Sequence, residues 1–290
     1  MLLLALLCIA TDAHAFCVTH GCDATRQNCE YDANGCMVTG PEVRWGSSCV
    51  SYDVQKSGSE LRGISYDDAH EAIARAFEQW LSADCGGTTP SLTVMDFGPV
   101  DCRNREYNKS SPNANIFMFR DDSWPYQNTI DTLALTTVTY DQASGEIYDA
   151  DVEINTFQTA MTVGPVGPDD TDFNSVITHE IGHFLGLAHS SVSGATMQPS
   201  YDPGSTALAS IEQDDVAGVC AALDPARVPL SDSCQPRHGF SSECSTPQSG
   251  GCQMSAAQAR DVNRQLFAFL IVLGGASLST WRRRPARRSV

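Results

Sequence analysis

The stretch Thr178-His179-Glu180-Ile181-Gly182-His183-Phe184-Leu185-Gly186-Leu187-Ala188-His189 decides how this chain is read. Wound as a helix at ~100° per residue, it gathers Phe173, Ile177, Ile181, Phe184, Leu185 and Ala188 on one arc, which must bury against a sheet. His179 and His183 stand one turn apart on the opposite arc, so both imidazoles can reach one ion. Glu180 lies beside them, where it can hold a water. His189 needs a different geometry, because a continuing helix would swing it ~240° round from His183. It joins the pair only if the helix stops and the chain reverses. Gly186 is where that break costs least, since glycine accepts positive φ without a Cβ clash. Three neutral imidazoles with an open fourth position are a catalytic zinc arrangement, whereas structural zinc sites close with four protein ligands.

Outward from this helix, predicted over 172–187, the periodicities are mixed. Val50, Tyr52 and Val54 alternate with polar residues, as a half-buried strand does. Ser65, followed three residues later by Asp68, starts a helix whose apolar stripe is Ala69, Ile73, Phe77, Trp80 and Leu81. Strands are predicted over 92–97, 115–119, 132–140 and 146–154. Several strands between two long helices imply an α/β fold, one mostly parallel sheet backed by helices.

The 290 residues carry a formal net charge of −17, and seven of the 18 basic residues lie in 260–290. Residues 1–259 therefore hold 34 acids against 11 bases, a balance that repels phosphate and excludes nucleic acid as a partner. Twelve cysteines imply an oxidising compartment. The leader agrees. Residues 2–10 are an unbroken apolar run before Ala13-His14-Ala15, a small-x-small cleavage pattern, so 1–15 reads as a signal peptide. Beyond it come a Cys-rich segment (16–40) expected to be pinned by disulfides, the catalytic domain (41–224), a Pro/Ser-rich stalk (225–255) and a tail (256–290).

The zinc pattern resembles the metzincin metallopeptidases, and among them the matrixins. The matching motif is His179-Glu180-x-x-His183-x-x-Gly186-x-x-His189, with Ser190 directly after it and Met197 eight residues beyond His189. The resemblance implies His179, His183 and His189 as ligands of one catalytic Zn2+. It also implies a twisted, mostly parallel sheet and an active-site helix followed by a Met-turn and a C-terminal helix. In the family the Met-turn floors the metal, here Met197, and its continuation lines the substrate pocket, here Pro199 and Tyr201. Asp214-Asp215-Val216 looks like the family's last helix and Val43-Arg44-Trp45 like its opening strand. The Pro-Arg-Cys-Gly latency sequence typical of matrixins is absent from the printed sequence.

The implied activity is hydrolysis of peptide bonds in extended polypeptide by a zinc-activated water, with Glu180 as general base. The chain is expected to act as a monomer. Two other readings stay open: a protease of another metzincin branch, and a non-catalytic zinc-containing surface adhesion or binding module. On the predicted strand 146–154, Asp149, Asp151 and Glu153 share one face. That pattern suits structural Ca2+, which matrixins carry, and equally a solvated acidic face. At the C-terminus, residues 266–281 carry no charge and are followed by Arg282-Arg283-Arg284, after Gly250-Gly251-Cys252. This order resembles the MYXO-CTERM type of bacterial sorting tail, which implies contact with the membrane or cell envelope and delivery to the surface. A plain single-span anchor is the alternative.

Overall fold

The computed structural model describes residues 15–126 and 132–244, together with the backbone of 282–283. In chain order the elements are β1 (Cys17–Val18), β2 (Arg44–Trp45), β3 (Cys49–Gln55), α1 (Tyr66–Leu81), β4 (Thr93–Val100), β5 (Ile116–Phe119), β6 (Ala134–Tyr140) and β7 (Glu146–Ile154). They continue with β8 (Met161–Thr162), β9 (Thr171–Asp172), α2 (Phe173–Phe184), β10 (Leu187–Ala188), β11 (Ser200–Tyr201), α3 (Gln213–Ala222) and β12 (Arg282–Arg283). A six-stranded sheet organises the molecule, in the order β2-β7-β5-β3-β4, with β6 alongside β7. Every pairing in it is parallel except β6 with β7, so the expected mostly parallel α/β sheet is present. β2 and β5 share one side of β7 and β6 takes the other, which leaves the outer edge of β6 without a strand partner among the described residues.

Both long helices cover one face. Ser65 caps α1 by accepting from the Asp68 amide, and Asp68 reaches back to the Ser65 amide, the reciprocal box its spacing predicts. Ile73, Phe77 and Trp80 of α1 and Phe173, Ile177, Ile181 and Phe184 of α2 bury against Tyr52, Val54, Phe117, Val152 and Ile154 of the sheet. Aromatic rings dominate the contact: Phe77 meets Phe184 edge-on at 5.3 Å, and Phe117 stacks on Phe184 at 5.9 Å.

The opposite face carries a smaller apolar cluster of Val100, Cys102, Ala114, Ile116 and Met118 beneath Phe240. Residues 225–244, read above as the start of a stalk, cross this face instead. Disulfides Cys49–Cys234 and Cys102–Cys244 fix them there, and bridges join Ser47 to Ser231 and Asn113 to Phe240. Their Pro and Ser content does exclude regular structure, but the cysteines set their path. The Cys-rich segment is pinned as expected, by Cys17–Cys36 and Cys22–Cys29, and Cys85–Cys220 ties the end of α1 to α3. Cys252 and the apolar stretch 266–281 lie outside the described residues, as does the leader through residue 14. Among the described residues no helix is long and apolar enough to cross a membrane.

The covered face overturns the solvated reading of the acidic strand. Asp149, Asp151 and Glu153 do share one side of β7, but all three are buried. Glu153 is held by Arg120 and by the Tyr126 hydroxyl, and Asp151 accepts from the amides of Ile116 and Glu106. Asp149 Oδ1 has no hydrogen-bond partner among the described residues. Asp53, on β3 across β5 from β7, is fully buried on this face, and neither carboxyl oxygen has a hydrogen-bond partner among the described residues. Burial first, and then the charge of Asp96, push its pKa up to about 8. The unfolded chain releases this proton near the ordinary carboxylate pKa while the folded chain keeps it, so stability falls as pH rises from about 4 to 8. Asp53→Asn removes the titration at nearly constant shape. Melting temperatures across that range should therefore shift in the variant's favour as pH rises; a gap that stays constant with pH would refute the buried protonated acid.

Candidate active site

Three contacts hold α2 in place. Asp172 caps its N-terminus, accepting from the Ser175 amide at 2.9 Å and the Ser175 hydroxyl at 2.7 Å. The Trp80 indole of α1 donates to the Thr178 carbonyl at 2.8 Å. The Trp45 indole of β2 donates to the Phe184 carbonyl, also at 2.8 Å, and so satisfies one of the last-turn acceptors that a helix end leaves orphaned. The helix stops at Phe184, and Gly186 turns the chain at φ +102°. A Cβ on Gly186 would stand 2.7 Å from the Val43 carbonyl, so both the torsion and the space require glycine.

The reversal brings His189 back to the helical pair. Nε2 of His189 lies 3.2 Å from Nε2 of His179 and 3.3 Å from Nε2 of His183. Metal–nitrogen bonds of ~2.0–2.1 Å in a tetrahedron need ligand nitrogens about 3.3–3.4 Å apart, which both separations match, and all three ligand atoms lie within 4.8 Å of one another. Each helical imidazole is turned by a carbonyl behind it. His179 Nδ1 donates to the Thr196 carbonyl at 2.6 Å and His183 Nδ1 to the Leu187 carbonyl at 2.9 Å, leaving both Nε2 lone pairs facing inward. Burial holds all three neutral: it pushes His183 down to about 4 and holds His179 and His189 well below the usual histidine range. Neutral imidazole is the form that binds metal.

Glu180 sits beside the three, buried, its carboxyl pushed up to about 7 by that burial. The Thr136 hydroxyl of β6 donates to Glu180 Oε2 at 2.5 Å and opposes the rise. Met197 is buried against the same helix: a Cβ on Gly182 would come 2.2 Å from its Sδ. Asp215 of α3 holds the Met197 turn from below, accepting from the amides of Thr196 and Met197 at 2.7 and 3.0 Å. Ser190 donates to Asp214 at 2.6 Å. Pro199 is exposed, and Tyr201 is fully buried, its hydroxyl accepting from the Asp172 amide and donating to the Ser205 carbonyl.

The matrixin family profile matches residues 44–222, more than half of the chain. This chain belongs to the matrixins. It is similar to metalloendoproteinase 1-MMP of Arabidopsis thaliana, 29% identical over 188 residues that cover 63% of this chain and 45% of the relative. It is also similar to human neutrophil collagenase, 27% identical over 191 residues covering 66% of this chain and 35% of the relative. Over 48 residues it is 46% identical to matrilysin of Rattus norvegicus, 17% of this chain and 18% of that one. The chain thus spans less than half the length of these curated relatives.

Sequence reasoning found every residue of this matrixin's histidine cluster, with Glu180 and Met197 beside it, and missed the partners that hold them. Thr136 is one β-branched residue among several in a strand, and no local signal links it to Glu180. The carbonyls of Thr196 and Leu187 carry no side-chain signature at all. Asp215 was legible only as part of the last helix. The contact between Gly182 and Met197 yields a direct test. Gly182→Ala should cost about 1–3 kcal/mol in denaturant unfolding, the usual range for overpacking. Met197→Ala in the same chain should recover part of that loss, and strict additivity of the two substitutions would show that they do not touch.

Proposed function

We propose that this matrixin is a zinc-dependent endopeptidase acting on extended polypeptide, with Zn2+ held by His179, His183 and His189. The observation that carries the reading is the convergence of the three imidazoles, with His189 Nε2 at tetrahedral spacing from both helical partners, and the buried Glu180 next to His179 on the same helix. Zinc, when bound, supplies Lewis acidity toward the scissile carbonyl and acidifies a bound water. Glu180 then does the proton work: Oε1 accepts a proton from the attacking water and delivers it to the leaving amine. Burial raises the proton affinity of this carboxyl, which favours its taking up the proton. Thr136 keeps Oε2 occupied, which orients the carboxyl toward the histidines. Substrate binds as an added strand along the open edge of β6, whose backbone groups no strand covers among the described residues. Met197 supports the zinc ligands from below, and Pro199 with Tyr201 shapes the wall of the cleft opposite β6. The chain is exported by its leader and delivered to the cell surface through its C-terminal tail.

Replacing Glu180 separates this from a non-catalytic zinc module. Glu180→Gln should keep about one zinc per chain while proteolysis of casein falls by ~10²–10⁴, the usual worth of general-base assistance. Proteolysis near the parent rate would remove Glu180 from the mechanism, and a zinc-loaded parent without proteolysis would favour the binding module. His189→Ala leaves two imidazoles. Zinc should then be lost to a chelator that the parent resists, as equilibrium dialysis will show; undiminished affinity would place the third ligand elsewhere.

A further inference from the structure

The Cys-rich segment ahead of the matched family span lies against the zinc motif itself. β1 pairs antiparallel with β10, Cys17 opposite Ala188 and Val18 opposite Leu187. Beyond the pair, the Thr19 amide donates to the Gly186 carbonyl at 2.8 Å, and the Thr19 carbonyl accepts from the Val43 amide at 2.7 Å. These partners are the residues on which the ligand geometry turns. Gly186 makes the reversal, Leu187 supplies the carbonyl that aims His183, and Ala188 directly precedes His189. On the outer side, Phe16 and Leu187 both approach Gly218 of α3, within 3.1 and 3.3 Å of where a Cβ would stand.

We propose that β1, pinned by the Cys17–Cys36 disulfide, is a positioning element of the metal centre that holds His183 and His189 in register for the ion. This rests on the zinc reading above. A two-residue strand makes too few hydrogen bonds to persist on its own. The disulfide supplies what the ladder lacks: Cys17 and Cys36 are both buried, and their link closes β1 against residues 32–36, where the Asp32 carboxylate accepts from the Cys36 amide. Cys22–Cys29, by contrast, joins two positions seven apart in sequence, and β10 pairs with Cys17 and Val18 rather than with either of them. The two disulfides of one small segment therefore differ in role. Cys17 and Cys36 are positioning residues for the ligands, and Cys22 and Cys29 shape the segment alone.

The experiment compares zinc release to an excess of chelator from the full chain, from Cys17→Ser/Cys36→Ser and from Cys22→Ser/Cys29→Ser. Loss of a partner that orients a metal ligand typically weakens binding by about 10–100-fold. The first double variant should release zinc faster than the parent by about that factor, and the second should match the parent, although both lower the melting temperature of the metal-free chain. A wild-type measurement stands behind the variants, should the first fail to fold. Coupling is reciprocal in binding free energy, so bound zinc must stabilise the Cys17–Cys36 disulfide in a glutathione redox buffer by the factor by which the oxidised chain binds zinc more tightly, leaving Cys22–Cys29 unmoved. Peptide mapping of the equilibrated thiols reads both pairs at once. Equal zinc release from the two double variants, or a Cys17–Cys36 equilibrium indifferent to zinc, would overturn this inference alone. A parent chain that takes up no zinc would overturn the enzymatic reading and this inference together.

Discussion

The metal site depends on one backbone reversal, at Gly186. Two of the three imidazoles come from consecutive turns of α2 and would point the same way in any helix of this sequence. The third arrives only because the helix ends at Phe184 and the chain doubles back at φ +102°. Everything nearby serves that stop. The Trp45 indole satisfies the Phe184 carbonyl, the Val43 carbonyl fills the space a side chain at Gly186 would need, and the Thr19 amide takes the Gly186 carbonyl. A helix end left buried without such partners would cost free energy at each orphaned group.

The site is also an electrostatic compromise. Three imidazoles and a carboxyl share one site, His179 and Glu180 buried and His183 and His189 half-buried, and desolvation drives each toward its neutral form. For the histidines that is the metal-binding form, so burial prepares them for a cation. For Glu180 the same burial raises proton affinity, and the Thr136 hydroxyl limits the rise. Beneath the site the core is aromatic, with Phe77, Phe117 and Phe184 meeting ring to ring.

What the sequence made legible was whatever has a period or a fixed spacing. The stripe of α1, the Ser65–Asp68 box, the alternation of β7 and the histidine spacing all survive in the structure because each is a local rule. Alternation told correctly that Asp149, Asp151 and Glu153 share a face, but not that Glu106, Arg120 and Tyr126 close over it, since period says nothing about what lies opposite. Residues 225–244 read as a stalk because Pro and Ser mark irregular chain. Their actual path is set by Cys234 and Cys244, whose partners no spacing rule could choose among so many cysteines. β1 was illegible for a plainer reason: two residues carry no period. Its place is fixed by a partner roughly 170 positions away and by a disulfide.

That distance has a consequence for how the centre comes into being. Val18 is synthesised long before Leu187, its partner, and Cys49 long before Cys234. Contacts so far apart along the chain close late, because loop entropy must be overcome before they form. On the role proposed for β1, the three imidazoles therefore gain their full pre-organisation only once the N-terminal segment has docked on β10. Metal bound before that point is held less tightly than metal bound after it.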